Sequence, residues 1–311
     1  MPHIRCNHAV LCTGFALAIF PFVSTVAAAK LPTLAWQLTH SIQADPSFSP
    51  DGKRMVYLVV VAGKEQLFTA NVDGSDPMQI THDVIDHEDP AWSLDGKRIA
   101  YVAISGDSSR IWVMDIDGTR AQPLSPPDRK VIHPRWHPDG RHLAWCTTDD
   151  LDPPRKNDAE IQQVDLATGK IEVLLTGGIN TYPAFSPDGK FIAYRHFVGE
   201  NSEVFVANAD GSHPRNITNS PAFDGWPAWS PDGKRLAFSS NRNSSYQIHV
   251  MDPDGSNVQL VANTEGRATY PQWRPDGKAI YFSLCRNVDY GAGCEIMVAS
   301  IGGTDAPDRK P

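Results

Sequence analysis

Beyond its first 29 residues the sequence lacks any apolar run long enough to cross a bilayer. It also lacks a basic excess: 28 Lys and Arg stand against 36 Asp and Glu, a formal charge of -8. Such a chain has no surplus cations to displace counterions from a phosphate backbone, which argues against a nucleic-acid partner. Cysteine is scarce, 5 in 311 residues. No His-Glu-x-x-His, Cys-x-x-Cys, phosphate-binding loop or Gly-x-Ser-x-Gly elbow occurs. The common signatures of zinc hydrolysis, dithiol chemistry, nucleotide binding and α/β-hydrolase catalysis are therefore missing. Nothing in the sequence calls for a cofactor.

What is present starts with an export signal. Arg5 precedes an apolar stretch from Ala9 to Val23, and Ala27-Ala28-Ala29 supplies the small residues a signal peptidase needs. Residues 1–29 are read as a signal peptide cleaved before Lys30. Residues 30–311 are read as one domain, exported to a bacterial periplasm, with no membrane span in its mature form. Three cysteines follow the cleavage point. Cys285 and Cys294 enclose a short polar loop between apolar, strand-like runs, and in an oxidising compartment they are expected to form a disulfide. Cys146, inside the run Leu143 to Cys146, is expected to be a small buried side chain.

A repeat organises the rest of the chain. Six segments read Pro, any residue, aromatic, two residues, Asp-Gly, then a short apolar run ending in an aromatic. They are Pro46 to Tyr57, Pro90 to Tyr101, Pro134 to Trp145, Pro183 to Tyr194, Pro227 to Phe238 and Pro271 to Phe282. Their aspartates, Asp51, Asp95, Asp139, Asp188, Asp232 and Asp276, are spaced 44, 44, 49, 44 and 44 residues apart. Pro-Asp-Gly is a turn, because Pro presets φ, Asp bonds the local backbone and Gly accepts φ > 0. A second turn follows, as at Asp73-Gly74 or Asp254-Gly255, and then a short fourth strand. Four strands in about 44 residues, repeated, predict an all-β, six-bladed β-propeller of four-stranded antiparallel blades. The sixth unit lacks its fourth strand, while Gln37-Leu38-Thr39-His40 resembles Gln79-Ile80-Thr81-His82. The N-terminal segment, residues 34 to 40, is therefore expected to complete the last blade and fasten the ring.

The motif Pro-x-Trp-Ser-Pro-Asp-Gly-Lys, followed by a strand such as Ile248 to Asp252, resembles the repeats of the TolB-like propellers of the periplasmic Tol-Pal system. The resemblance covers about Trp36 to Thr304. It implies a propeller that binds a lipoprotein or another envelope protein or peptide. The N-terminal α/β domain that TolB carries has no counterpart between Lys30 and the first strand, so the implication concerns the propeller alone. Similar repeats occur in prolyl oligopeptidases and oligogalacturonate lyases. The latter leave open an alternative, a carbohydrate-active enzyme or sugar-binding protein.

The geometry of such a ring selects candidate residues. Turns joining first to second and third to fourth strands emerge on one face. Longer and more variable connections emerge on the other, where recognition is expected: second-strand aromatic to third strand takes 16 residues in unit three and 14 in unit six, against 10 elsewhere. The residues before the repeated prolines are Asp45, Asp89, His133, Tyr182, Trp226 and Tyr270, with His87 and Glu88 beside them. Symmetry predicts that they converge on the channel mouth of the long-loop face. An acidic and aromatic mouth suits a basic peptide segment, and its aromatics would equally stack on a sugar. A catalytic role would fall to His87 or His133 with neighbouring carboxylates, holding a metal or a sugar. No basic cluster is evident around the mouth. Arg242 and Arg286 are expected to order loops, and His196, His213 and His249 to lie on the surface.

Overall fold

A computed structural model describes residues 34–35, 46–147, 158–286 and 294–301. Residues 1–29, Asp45, and most of the long connections of units three and six lie outside the described residues. Six separate sheets form, each of four antiparallel strands. Blade 2 is typical: Asp86–Trp92, Arg98–Ser105, Ser108–Asp115 and Gln122–Pro123 pair in chain order. Blades 1, 3, 4 and 5 repeat this order. Blade 6 contains Arg267–Trp273, Ala279–Cys285 and Cys294–Ser300, and its outer strand is Leu34–Ala35. Leu34 pairs with Ala299 and Ala35 with Val298, so the N-terminal segment does complete the last blade. The paired residues precede the expected Gln37–His40, which lies outside the described residues.

Strand alternation explains how the blades stack, because successive side chains point to opposite faces of a sheet. In blade 1, Val56 and Leu58 pack with Trp92, Ile99 and Tyr101 of blade 2. Met55 and Tyr57 of the same strand pack with Tyr281, Ile296 and Val298 of blade 6. Four further clusters fill the remaining blade interfaces. The hydrophobic core is thus six wedges between sheets, and the wedge between blades 6 and 1 closes the circle. Phe48 stacks on Tyr281 at 4.1 Å across that junction.

Turn chemistry follows the sequence closely. Ser49, Ser93, Ser186 and Ser230 each donate to the aspartate two residues on. In the second set of turns, Asp73, Asp210 and Asp254 accept from the serine two residues later. The glycine after that aspartate is required by packing: a Cβ at Gly211 would lie 1.8 Å from the Leu174 carbonyl oxygen of the preceding blade. The outer strands are two residues long in blades 1, 2 and 4. Two positions beyond each lies a hydroxyl residue, Thr81, Ser125 or Thr218, whose oxygen accepts the N–H of Leu67, Ile111 or Val204 and finishes the ladder.

Cys285 and Cys294 form the expected disulfide between the second and third strands of blade 6, where they are directly paired. Cys146 is free and buried. Closing so short a loop restricts the unfolded chain by roughly 3 kcal/mol on the loop-entropy account. Changing both cysteines to serine is expected to lower unfolding stability by about that amount in urea titration. An unchanged midpoint would show that the bond contributes nothing to the ring. Among the described residues no helix is long and apolar enough to cross a membrane.

Candidate functional site

In blades 2 to 6 the innermost strand slips register at the residue before the repeated proline. Proline cannot donate to the ladder, so pairing breaks there and a bulge forms. Asp89, His133, Tyr182, Trp226 and Tyr270 all adopt positive φ, between 48° and 55°. That region costs a non-glycine residue roughly 1–2 kcal/mol, and its repetition in five blades makes it a built feature of the ring. The result is convergence: the Tyr182 and Tyr270 hydroxyls meet at 3.3 Å across 88 residues of sequence.

One side of the mouth is an aromatic wall. Ring centroids lie 3.8 Å apart for His133 and Tyr182, 5.4 Å for Tyr182 and Trp226, and 5.6 Å for Trp226 and Tyr270. Two guanidinium groups lie on this wall. Arg195 sits 4.6 Å over Tyr182 and 5.4 Å from Trp226, with its Nε donating to Thr181 at 3.0 Å. Arg267 sits 4.5 Å over Tyr246 and 5.5 Å from Trp226. The sequence expectation of no basic cluster at the mouth is therefore corrected. Repeat alignment carries the missed signal: Arg195 stands where the other units have Leu58, Val102, Cys146, Ser239 and Ser283. Gly225 leaves the space it uses, since a Cβ there would lie 2.9 Å from Arg195 Cδ.

The other side is acidic. The His133 backbone N–H donates to Asp89 Oδ2 at 3.0 Å, and its ring Nε2 lies 3.6 Å from the same oxygen. Burial depresses the imidazole to about 4, against the pull of Asp89, so His133 is neutral at pH 7. Its Nδ1 lies 3.1 Å from Cys146 Sγ, a thiol that burial pushes up to about 12. Glu88 is raised to about 8, first by burial and then by the charges of Asp89 and Glu65. Burial also raises Glu65, a member of this cluster absent from the sequence reading. Lys64 pairs with Asp86 at 2.8 Å at its edge.

His87 does not join the ring contacts. It is buried, 2.8 Å from Asp83 through Nε2 and edge-on to Tyr101 at 5.3 Å. Among the described residues, neither His87 nor His133 belongs to a group of three donors within reach of one metal ion; the group that does is His137, Asp139 and His142. Arg242 orders its loop as expected, paired at 3.0 Å with the fully buried Asp224. Arg286 likewise pairs with Glu295 at 2.8 Å. His249 departs from expectation: it is buried and held down to about 4 by desolvation. From the opposite, short-turn face a funnel of about 460 Å³, rimmed by Pro50, Pro138, Pro187, Pro231 and Pro275, reaches Tyr270.

A ring of six four-stranded blades around a channel, with one aromatic and acidic mouth, defines a six-bladed β-propeller. The profile of the TolB beta propeller domain matches residues 97–302. The chain belongs to that family. The fold is similar to that of the TolB structure from Agrobacterium tumefaciens, at 22% identity and a TM-score of 0.65, covering 86% of this chain and 93% of that one. TolB from Acinetobacter baumannii is 18% identical with a TM-score of 0.61, covering 86% of this chain and 65% of its own. An oligogalacturonate lyase in complex with manganese is 15% identical with a TM-score of 0.62, covering 85% and 92%. No curated protein sequence matches the chain.

Proposed function

We propose that the chain is an exported scaffold of the bacterial envelope that binds a protein or peptide segment at the long-loop mouth of its channel. The observation that carries this reading is the meeting of strained, pre-proline side chains from separate blades, with Tyr182, Trp226 and Tyr270 packed against one another. Aromatic anchors of this kind concentrate binding energy in protein interfaces. The acidic side, Glu65, Asp86, Glu88 and Asp89, suits a Lys or Arg of the partner. The TolB likeness supports an envelope partner and a periplasmic location, and the signal peptide expected from the sequence of residues 1–29 agrees with it.

A photo-crosslinking side chain separates the faces. At position 182 it is expected to capture a discrete partner in native envelope; at position 234, on the short-turn face, it is not. Capture from position 234 alone would overturn the reading. Gly225→Ala tests the wall without truncating it, because the new methyl displaces Arg195 from Tyr182 and Trp226. The wall that the partner would meet is thereby rearranged, and binding of the captured partner is expected to weaken about tenfold, which is about 1.4 kcal/mol.

The arginines favour one second reading. Arg195 and Arg267 beside aromatic rings also suit a carboxylated sugar, as the oligogalacturonate lyase alternative requires. In that reading neutral His133 is the candidate base. Release of unsaturated sugar from oligogalacturonate, abolished by His133→Gln, would replace the scaffold reading with an enzymatic one.

A further inference from the structure

The turn before the second strand of blade 3 departs from its five counterparts at two positions together. Elsewhere it begins with Ser49, Ser93, Ser186, Ser230 or Arg274 and ends with Arg54, Arg98, Phe191, Arg235 or Ala279. Blade 3 has His137 and His142 at those positions. In the four serine blades the hydroxyl donates to the aspartate at 2.6–2.7 Å and accepts the N–H that ends the turn at 2.9 Å. That turn is complete without help. A histidine in place of serine gives up both hydroxyl bonds, and Asp139 Oδ1 accepts the His142 N–H at 3.0 Å instead, so the turn closes without either imidazole ring.

Two imidazoles instead converge on one carboxylate. Asp139 Oδ2 lies 3.0 Å from His137 Nδ1 and 2.6 Å from His142 Nδ1. The Asp139 N–H donates to His137 Nδ1 at 3.2 Å, so that nitrogen carries the lone pair. The ring proton is then on Nε2, 3.3 Å from the Gly189 carbonyl oxygen of blade 4. His137 Nδ1 and the carboxylate oxygen consequently face each other lone pair to lone pair, which a cation relieves. A second ring nitrogen bonded to a backbone carbonyl is the outer partner that metal-bound histidines ordinarily keep. Phe185 fixes the His137 ring edge-on at 4.6 Å.

We propose that His137, Asp139 and His142 bind a divalent transition cation of the zinc class on the short-turn face. Two imidazole nitrogens and one carboxylate oxygen are donors that class accepts, and a fourth position remains for water or an external donor. The donor atoms lie within 4.8 Å of one another, and the ion takes the place of the proton that His142 Nδ1 gives to Asp139 Oδ2 at 2.6 Å. Asp139 is exposed and both histidines are half-buried, so the site is reachable from solvent. The site is on the face opposite the proposed mouth and does not depend on what the mouth binds.

The test titrates the metal-stripped mature chain with Zn2+ or Co2+ alone, by calorimetry and by the visible absorption of cobalt. One equivalent and a four-coordinate cobalt spectrum are expected. H137S and H142R carry the residues that other blades use at these positions, which favours folding of both. Each is expected to weaken binding by more than about 100-fold, beyond the usual effect of losing an outer-shell partner. Undiminished binding in the double variant, or no binding by the parent chain, overturns the proposal. Histidine ring resonances of the parent chain supply a measurement independent of any variant: those of His137 and His142 shift with Zn2+, while those of His133 and His249 do not. A shift at His133 instead would move the site to the mouth and overturn the assignment.

Discussion

Trp226→Ala is expected to lower unfolding stability by about 3–5 kcal/mol, as truncation of a buried tryptophan does. For a domain of this size that is a fall in Tm of roughly 5–9 °C. The reason is local. Trp226 is only 8% exposed, and its ring is shared by Tyr182, Tyr270 and Tyr246 at 5.4–5.6 Å and by two arginines. Its removal leaves a cavity bounded by rings from three blades and withdraws the surface on which Arg195 and Arg267 lie. Trp226→Phe should lose far less, about 1.5 kcal/mol or under, because the buried indole N–H has no hydrogen-bond partner among the described residues to forfeit. Thermal and urea unfolding of the pair measure the difference. Losses of under about 1 kcal/mol for the alanine variant would mean that the mouth is not a packed unit.

Glu88→Gln is expected to change the pH dependence of stability. The folded chain holds this carboxyl at about 8, through burial and the neighbouring Asp89 and Glu65, against an ordinary 4.5. Between those values the folded chain keeps a proton that the unfolded chain has released. The stabilisation is therefore full below about pH 4.5, declines as pH rises, and is gone above about 8. Because the proton is shared with a second raised carboxyl, Glu65, the swing is on the order of 2–3 kcal/mol rather than the full shift at 1.36 kcal/mol per unit. His133 and His249 act oppositely: both are held at about 4, so their contribution is present above pH 6.5 and lost as pH falls toward 4. Subtracting the parent curve from the Glu88→Gln curve removes them. The difference should be near zero at pH 5 and favour the variant by about 2–3 kcal/mol at pH 9. A flat difference would mean that Glu88 ionises normally and that the acidic side is wet and open.

The repeat made the blades legible because turns are local. Pro-Asp-Gly presets its own dihedrals, and strand alternation needs only near neighbours to be recognised. The circular order also followed, since a sixth unit short of one strand and an early segment resembling that strand leave a single economical closure. The disulfide was legible for the same reason: the two cysteines stand nine positions apart, in adjacent strands. The pre-proline ring was visible as a set of equivalent positions, and Tyr182, Trp226 and Tyr270 do meet. Asp45 lies outside the described residues.

Other properties required the third dimension. Arg195 and Arg267 come from different strands of different blades, and only blade packing lays both guanidiniums on one indole. His87 alternates with its neighbours along one strand, yet the pleat sends it to Asp83 and Tyr101 rather than to the mouth. Glu65 reaches Glu88 from the adjoining blade, and their shared proton exists only because the fold removes both from water. Residue order alone determined the six blades, their turns and the joining of the two ends, all set by neighbours in the chain or by a repeated period. The electrostatics of the mouth were decided by tertiary structure, because burial and through-space charge depend on side chains that the sequence keeps far apart.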